Sequence, residues 1–226
     1  MNPQQNPQHV QANIIYLASK SPRRRELLKQ IGVHYELLMM REAPHRREGA
    51  LREDGRALAV DLDVDESPRD GEMPRLYVER IVRLKADTAQ RIMRSRKLSP
   101  HPILTADTTV AIGDEILGKP IDAADAIRML KRLSGQTHQV LTGVAVNAHG
   151  ETEFALSTSY VTCAAMNDAD IKRSVETGEP MDKAGAYGIQ GVAAKFISII
   201  SGSYSGVMGL PLFETAELLR KAGLSV

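Results

Sequence analysis

Short apolar runs alternate with apolar stripes of helical spacing along most of this chain. Residues 14–17 form a strand-like run, and the helix that follows is predicted to begin after an N-cap at Ser21, with Pro22 in its first turn, and to end before Gly32. The pattern then predicts a strand at 34–40, a helix at 73–96, a strand and hairpin within 101–120 that turns at 113–114, a helix between 122 and 135, two strands within 137–166 that turn at 147–150, a helix at 167–178, a strand at 193–200 and a helix at 213–223. Strands that alternate with helices favour an α/β, or mixed α+β, fold with a mixed sheet.

Two polar segments interrupt this pattern. Residues 1–13 have neither a basic start nor an apolar core, so they predict a disordered tail and not a signal peptide. From about residue 41 to 70 the chain is mostly charged, with scattered Gly and Pro, which predicts a long loop or an insertion with a short helix near 57–60. A long loop in a compact domain is either functional or disordered.

The composition narrows the class of protein. A chain of 226 residues suffices for one domain with a sizeable core. Its 29 basic and 28 acidic residues give a net charge of +1, which argues against a nucleic-acid-binding or membrane-surface protein. The absence of Trp argues against a base-stacking platform. One cysteine, Cys163, excludes an internal disulfide and a cysteine-cluster metal site, and it fits a reducing cytosol. No apolar run is long enough for a transmembrane helix.

The sequence SKSPRRR at residues 19–25 is a candidate anion site at a strand-to-helix junction. A helix N-terminus favours anions and disfavours cations, so Arg23, Arg24 and Arg25 are locally unfavourable there. A bound polyphosphate would offset this repulsion, and Arg binds phosphate through two parallel hydrogen bonds. The alternative is a solvated basic cluster.

Asp107 belongs to the segment TADTT, which we expect at the end of an apolar strand. Ligand sites in open α/β sheets lie outside the carboxyl ends of strands. An Asp there can activate water as a general base, or it can hold a hydrated divalent cation. The alternative is a turn residue that only shapes the loop.

Three further residues are candidate ligand contacts. Lys119 ends GDEILGK, which nearly matches a phosphate-binding P-loop, but Pro120 lacks the required hydroxyl; Lys119 therefore contacts phosphate as a point charge or is an exposed turn lysine. Lys85 borders the apolar stripe of the long helix and, judged alone, is expected to extend to water rather than into a cleft. Gln190, in the glycine-rich loop 182–191, either reads a base edge or belongs to a tight structural loop.

These segments, in this order, resemble the Maf family of nucleoside triphosphate pyrophosphatases: LASKSPRRRELLKQIG, LTADTTV, EILGKP, LSGQTHQVLTGVAV, GEPMDKAGAYGIQG and GSYSGVMGLPL. The resemblance implies a single Maf-like catalytic domain over residues 14–226, with a charged insertion at about 41–61 where the family usually has a shorter connection. It also implies a mixed α/β fold similar to inosine triphosphate pyrophosphatases: an elongated, two-lobed mixed sheet with flanking helices and a cleft between the lobes.

The resemblance further implies hydrolysis of a nucleoside triphosphate to the monophosphate and pyrophosphate, with Mg²⁺ or Mn²⁺ as the divalent cation. Asp107 would be the general base. Arg23, Thr108 and Gln190 would select the substrate, and their identities match the branch that acts on dTTP and UTP. The remaining roles map as follows: phosphate binding to Ser21, Arg24, Lys85 and Lys119, and metal binding to Glu66 and Asp107.

Two other functions stay open on the sequence. One is a pyrophosphatase for modified nucleotides such as 7-methyl-GTP, which is the substrate of another branch of the family. The other is inhibition of septum formation by binding a partner, without turnover. Family analogy also suggests a homodimer. The single cysteine favours the cytoplasm, and the near-neutral charge and the lack of a transmembrane run favour neither nucleic acid nor membrane as a partner.

Overall fold

The computed structural model describes residues 14–39 and 64–226. The predicted tail at 1–13, the insertion at about 41–61 and the short helix near 57–60 lie outside the described residues. The described elements are, in chain order, β1 (Ile14–Leu17), α1 (Pro22–Gln30), β2 (His34–Leu37), α2 (Pro74–Ser95), β3 (Ile103–Ile112), β4 (Glu115–Leu117), α3 (Ala123–Leu133), β5 (Thr137–Ala148), β6 (Glu151–Cys163), α4 (Asp168–Glu176), three 3₁₀ segments (Glu179–Asp182, Ala184–Ala186 and Val192–Phe196), β7 (Ile197–Ser201), α5 (Tyr204–Met208) and α6 (Leu212–Lys221).

The seven described strands form one mixed sheet, in the order β2-β1-β3-β5-β6-β7, with β4 paired to β3. β1 is parallel to β2 and to β3, and the remaining pairs are antiparallel. Helices pack on this sheet, so the predicted mixed α/β class is confirmed. None of the helices in the described ranges combines the length and the apolar composition that a bilayer span requires.

The long strands β3 and β5 carry two separate apolar cores on one face. Leu104 and Val144 belong to the core under α1 and α6, whereas Val110 and Val140 belong to the core under α3. Since side chains alternate between the faces of a strand, these residues share a face with the cross-strand pair that lies between them, Thr108 and Thr142. This polar interruption divides the fold into two lobes, as predicted.

The opposite face of the same strands packs against α2. Its residues Val78, Ile81 and Val82 are fully buried against Ala111 and Leu141. The Thr105 hydroxyl donates to the carbonyl of Val82 at 3.2 Å. A Cβ built on Gly143 would lie 2.9 Å from Val82 Cγ2 and 2.9 Å from Phe154 Cε2. The missing side chain at Gly143 therefore lets α2 lie close to the sheet.

Strand β3 has an open edge at its centre. Its pairing with β1 ends at Leu104, and its pairing with β4 begins at Val110. Asp107 lies between these two points, opposite Gly143 on β5. The prediction that Asp107 ends a strand is wrong, because β3 continues to Ile112 and it is the neighbouring strand β1 that stops.

Three predicted elements differ from the structure in their bounds. The strand predicted at 34–40 ends at Leu37. The strand predicted at 193–200 begins only at Ile197, because Val192–Phe196 forms a 3₁₀ segment. Alanine and lysine have low strand propensity. The 3₁₀ segment places Ala193 in the apolar core under α3. The loop predicted before the last helix contains α5, which Ser203 caps by accepting from the Gly206 N–H.

We expect Gly143→Ala to lower the free energy of unfolding by about 1–3 kcal/mol, because the added methyl group would push against Val82 and Phe154. Gly118→Ala is the matched control, since nothing lies within 4 Å of a Cβ there. Urea titrations of both variants check this; equal stability of the two would contradict the close approach of α2.

Candidate active site

A cleft of about 1250 Å³ lies between the two lobes, at the open edge of β3. Arg25 does not line it, but nine other residues that the sequence marked as site candidates do: Ser21, Arg23, Arg24, Glu66, Lys85, Asp107, Thr108, Lys119 and Gln190. They come from six separate places in the chain, so the fold gathers into one site what the sequence keeps apart.

Lys85 bridges two carboxylates at the floor of this cleft. Its Nζ lies 2.6 Å from Asp107 Oδ1 and 2.8 Å from Glu66 Oε1. Lys85 and Asp107 are buried, and the side chain of Glu66 is about 44% exposed. The expectation that Lys85 extends to water is wrong, because α2 points it at the open edge of β3.

Helix α2 also positions the segment that carries Glu66. The Tyr77 hydroxyl donates to the carbonyl of Glu66 at 2.9 Å. Arg80 donates to the carbonyl of Ser67 at 3.0 Å and forms a bidentate pair with Glu72. One face of α2 thus supplies Lys85 and fixes the backbone beside its second partner. This role of Tyr77 was not predicted from the sequence.

The N-terminus of α1 faces the cleft, as the SKSPRRR segment predicted. Ser21 is the N-cap, with its hydroxyl accepting from the Arg24 N–H at 3.5 Å, and Pro22 occupies the first turn. No acidic residue lies in that turn, although the dipole would favour one. Arg23 also lines the cleft. This end of the helix is therefore suited to an anion.

Arg24 is held by two other segments of the chain. Its Nε donates to the Gly209 carbonyl at 2.8 Å, and its Nη1 donates to the Ser19 hydroxyl at 3.2 Å. Burial lowers the pKa of Arg24 from its ordinary value, and the nearby Asp107 carboxylate opposes that shift. The alternative of a solvated basic cluster is wrong for Arg24, which is half-buried and fixed by the protein on both sides.

Thr108 lies on the face of β3 opposite to Asp107. Its Oγ1 accepts from the Thr142 hydroxyl at 3.0 Å, and Thr142 is also 2.7 Å from the Gly206 carbonyl. Gly209 approaches the same place, since a Cβ there would lie 3.6 Å from Thr108 Oγ1. Because the edge is open, neighbouring residues on both faces of β3 reach one cleft.

Lys119 and Gln190 enter from the second lobe. Lys119 follows β4, so the glycines before it flank a hairpin strand, and the P-loop is correctly rejected. Its neighbour Gly118 accepts a hydrogen bond from Gly185 N–H at 3.0 Å, which ties the Lys119 turn to the glycine-rich loop. Both Lys119 and Gln190 are exposed within the cleft.

Neighbouring cations in the cleft lower the pKa of Glu66. Burial alone would raise the pKa of Glu66, but Lys85, Lys119 and Arg24 outweigh it and hold the pKa below its ordinary value of 4.5. Glu66 is therefore an anionic oxygen donor at neutral pH. The cleft thus combines two carboxylates with cations that reach them from three directions.

The donor set fits a divalent cation that is shared with a ligand. Two carboxylates, Asp107 and Glu66, are bridged by one Lys85 ammonium, which places their oxygens within reach of a common point. In the described part of the chain no group of three or more His, Cys, Asp or Glu side chains could hold a metal ion. Mg²⁺ is commonly held by one or two carboxylates together with water and substrate phosphates.

Comparisons with known proteins identify the family of the chain. Residues 14–222 match the family described as Maf-like protein. A protein of Dechloromonas aromatica is 50% identical over 209 residues, which are 92% of this chain and 97% of that protein. A protein of Cupriavidus pinatubonensis is 55% identical over 210 residues, 93% of this chain and 97% of its own. One of Ralstonia nicotianae is 54% identical over 213 residues, 94% and 95% of the two chains. All three are named dTTP/UTP pyrophosphatase.

We expect Glu66 to contribute to the acid sensitivity of the folded protein. Its folded pKa is lower than its ordinary value, so the stability it contributes is present above about pH 4.5 and is lost as the pH falls through the folded pKa. Glu66→Gln should therefore flatten the decline of the free energy of unfolding between about pH 6 and pH 3.

Denaturant titrations at several pH values measure this decline. Glu151→Gln, at the exposed β5–β6 hairpin, is the control. A wild-type protein and a Glu66→Gln variant with the same pH dependence would contradict the electrostatic coupling of Glu66 to the cleft.

Proposed function

The chain belongs to the Maf family, and on that premise we propose that it is a nucleoside triphosphate pyrophosphatase that hydrolyses dTTP and UTP. The observation that carries this proposal is the Asp107–Lys85–Glu66 cluster, which lies in the same cleft as the arginines of α1 and as Gln190. Relatives with about half of their residues identical over nearly the whole chain carry the name of this activity.

The triphosphate is bound by cations that already line the cleft. Arg23 and Arg24 stand at the N-terminus of α1, where backbone N–H groups also favour phosphate oxygens. Lys119 approaches from the other lobe, and Lys85 from the floor. Positioning and charge neutralisation are the main contributions of a protein to phosphoryl transfer, and this arrangement supplies both.

Asp107 acts as the general base. Its carboxylate takes a proton from water as the water oxygen bonds to the α-phosphorus, and the bond from that phosphorus to the bridging oxygen breaks. Pyrophosphate leaves with the bridging oxygen, and the nucleoside monophosphate keeps the oxygen of the water. Asp107 is suited to this role because it lies at the open edge of β3, where water and substrate can reach it.

Asp107 and Glu66 are the residues that would hold Mg²⁺ or Mn²⁺. When bound, such a cation supplies positive charge that stabilises the leaving pyrophosphate. Lys85 lies between these carboxylates, and its ammonium would contact the phosphates beside such a cation.

Base selection is the role of Arg23, Thr108 and Gln190. The Gln190 amide offers both a donor and an acceptor, as the edge of thymine or uracil requires. The Thr108 hydroxyl is oriented by Thr142, so it can present a defined polar group beside the phosphate-binding end of α1.

The compartment and the assembly are part of the same proposal. A single buried cysteine fits the cytosol. A near-neutral net charge fits a protein that binds a small nucleotide and no polymeric nucleic acid. We adopt the homodimer suggested by family analogy, and light scattering with size-exclusion chromatography tests it.

We expect Asp107→Asn to reduce turnover of dTTP and UTP on the order of 10²- to 10⁴-fold, because the amide keeps the shape of the side chain but cannot accept the proton. The assay is release of pyrophosphate from a panel of pyrimidine, purine and 7-methylated triphosphates, with Mg²⁺ and with Mn²⁺.

Asp114→Asn, in the exposed β3–β4 turn, is the matched control and should leave turnover unchanged. Equal, negligible hydrolysis of every nucleotide by the wild type and by Asp107→Asn would overturn the proposal and favour a binding protein.

A further inference from the structure

A buried imidazole–phenol pair lies behind the glycine-rich loop of the cleft. His138 Nε2, on β5, is 2.7 Å from the hydroxyl of Tyr187, and the two rings meet edge to face with centroids 5.4 Å apart. His138 is 1% exposed and Tyr187 8% exposed. Neither residue is a candidate for binding phosphate or metal, so the reaction described above does not use the pair.

Burial of this pair in an apolar core costs free energy. Burial lowers the pKa of His138 to about 4, so the imidazole is neutral at physiological pH. Its Nδ1 is buried without a hydrogen-bond partner among the described residues. Such an atom costs on the order of 1–3 kcal/mol, a cost that an apolar side chain on β5 would avoid. The pair therefore serves something besides stability.

The backbone just before Tyr187 has an unfavourable conformation. Gly185 and Ala186 both have left-handed conformations, with φ of 69° and 59°, and Ala186 lacks the freedom of glycine. A Cβ at Gly185 would also meet Val110 at 3.0 Å. Residues in such conformations persist only when surrounding contacts hold them. The Tyr187 hydroxyl bond to His138 is one of these contacts.

The same loop carries Gln190, and hydrogen bonds close it beyond Tyr187. Gly191 N–H donates to the Gly188 carbonyl at 3.0 Å, and the Glu179 carboxylate accepts from Val192 N–H at 3.0 Å. A Cβ on Gly191 would lie 1.5 Å from Glu179 Oε1, so a larger residue there would displace the Glu179 carboxylate. Gln190 is thus part of a preformed unit, and its place in the cleft depends on how that unit is attached to the sheet.

A glutamine amide alone cannot separate thymine from cytosine. Rotation by 180° exchanges its donor and its acceptor, so a loosely held amide would match either base edge. Discrimination requires that Gln190 meets the base from a fixed position, so that the wrong edge leaves a buried polar group unpaired. Attachment of the loop therefore matters for selectivity more than for chemistry.

We propose that His138 is a positioning residue for base selection: its hydrogen bond to Tyr187 fixes the loop Glu179–Val192 on the sheet and so fixes where Gln190 meets the base. This inference rests on the proposed function. Through Tyr187, a side chain buried in β5 would control selectivity without touching the nucleotide.

The test compares kcat/KM for dTTP and for CTP in Tyr187→Phe and His138→Leu. Each variant should lower the dTTP-to-CTP ratio on the order of tenfold, mainly through a higher KM for dTTP, because one hydrogen bond is lost. The double variant should be no worse than either single variant, since both remove the same bond. His138→Gln keeps a polar group near Nε2 and should restore part of the ratio.

Hydrogen exchange supplies a second readout. Amides 188–192 should exchange faster in Tyr187→Phe than in the wild type, whereas Tyr160→Phe, at a half-exposed tyrosine on β6, should change neither exchange nor selectivity. Tyr187→Phe removes one oxygen only, so it carries the test if His138→Leu does not fold.

Failure of the proposed function and failure of the positioning role give different results. A wild type that hydrolyses neither dTTP nor UTP overturns the proposed function, and the inference falls with it. A wild type that is selective for dTTP, beside a folded Tyr187→Phe that keeps the same ratio and the same amide exchange, overturns the positioning role alone. Equal losses of activity toward both nucleotides would overturn it as well.

Discussion

The contact of Lys85 with Asp107 and Glu66 depends on two features of the fold. Its ammonium is 2.6 Å and 2.8 Å from the two carboxylates, in a largely buried place where an unpaired charge would be costly. Helix α2 can bring the lysine this close because Gly143 has no side chain beneath it. Strand β3 can offer Asp107 to a ligand because its edge is unpaired between Leu104 and Val110. Both features belong to the sheet, so the site is built into the core of the fold.

This arrangement explains how a chain of net charge +1 can recognise a highly charged ligand. The cations and anions of the cleft neutralise one another until substrate arrives, with Lys85 as the shared partner. In the proposed function a triphosphate would contact these cations, and the carboxylates would hold a divalent metal. Arg24 is fixed before binding by Gly209 and Ser19, so little ordering cost remains for this cation.

The sequence predicted much of the fold, and the structure brings nine of the candidate site residues into one cleft. Ser21 could be predicted as an N-cap because capping depends on local chemistry, and the structure confirms it. The orientation of Lys85 could not be predicted, since it depends on how closely α2 approaches the sheet. The pairing of His138 with Tyr187 depends on contacts between residues 49 positions apart, which no local pattern reveals. Known family motifs linked the separate segments where periodicity could not.

The most direct measurement is hydrolysis of dTTP in water enriched with ¹⁸O, followed by mass spectrometry of both products. If Asp107 directs water to the α-phosphorus, the label appears in dTMP and the released pyrophosphate stays unlabelled. Label in pyrophosphate, or release of labelled orthophosphate, would place the attack at another phosphorus and contradict the assigned geometry of the cleft.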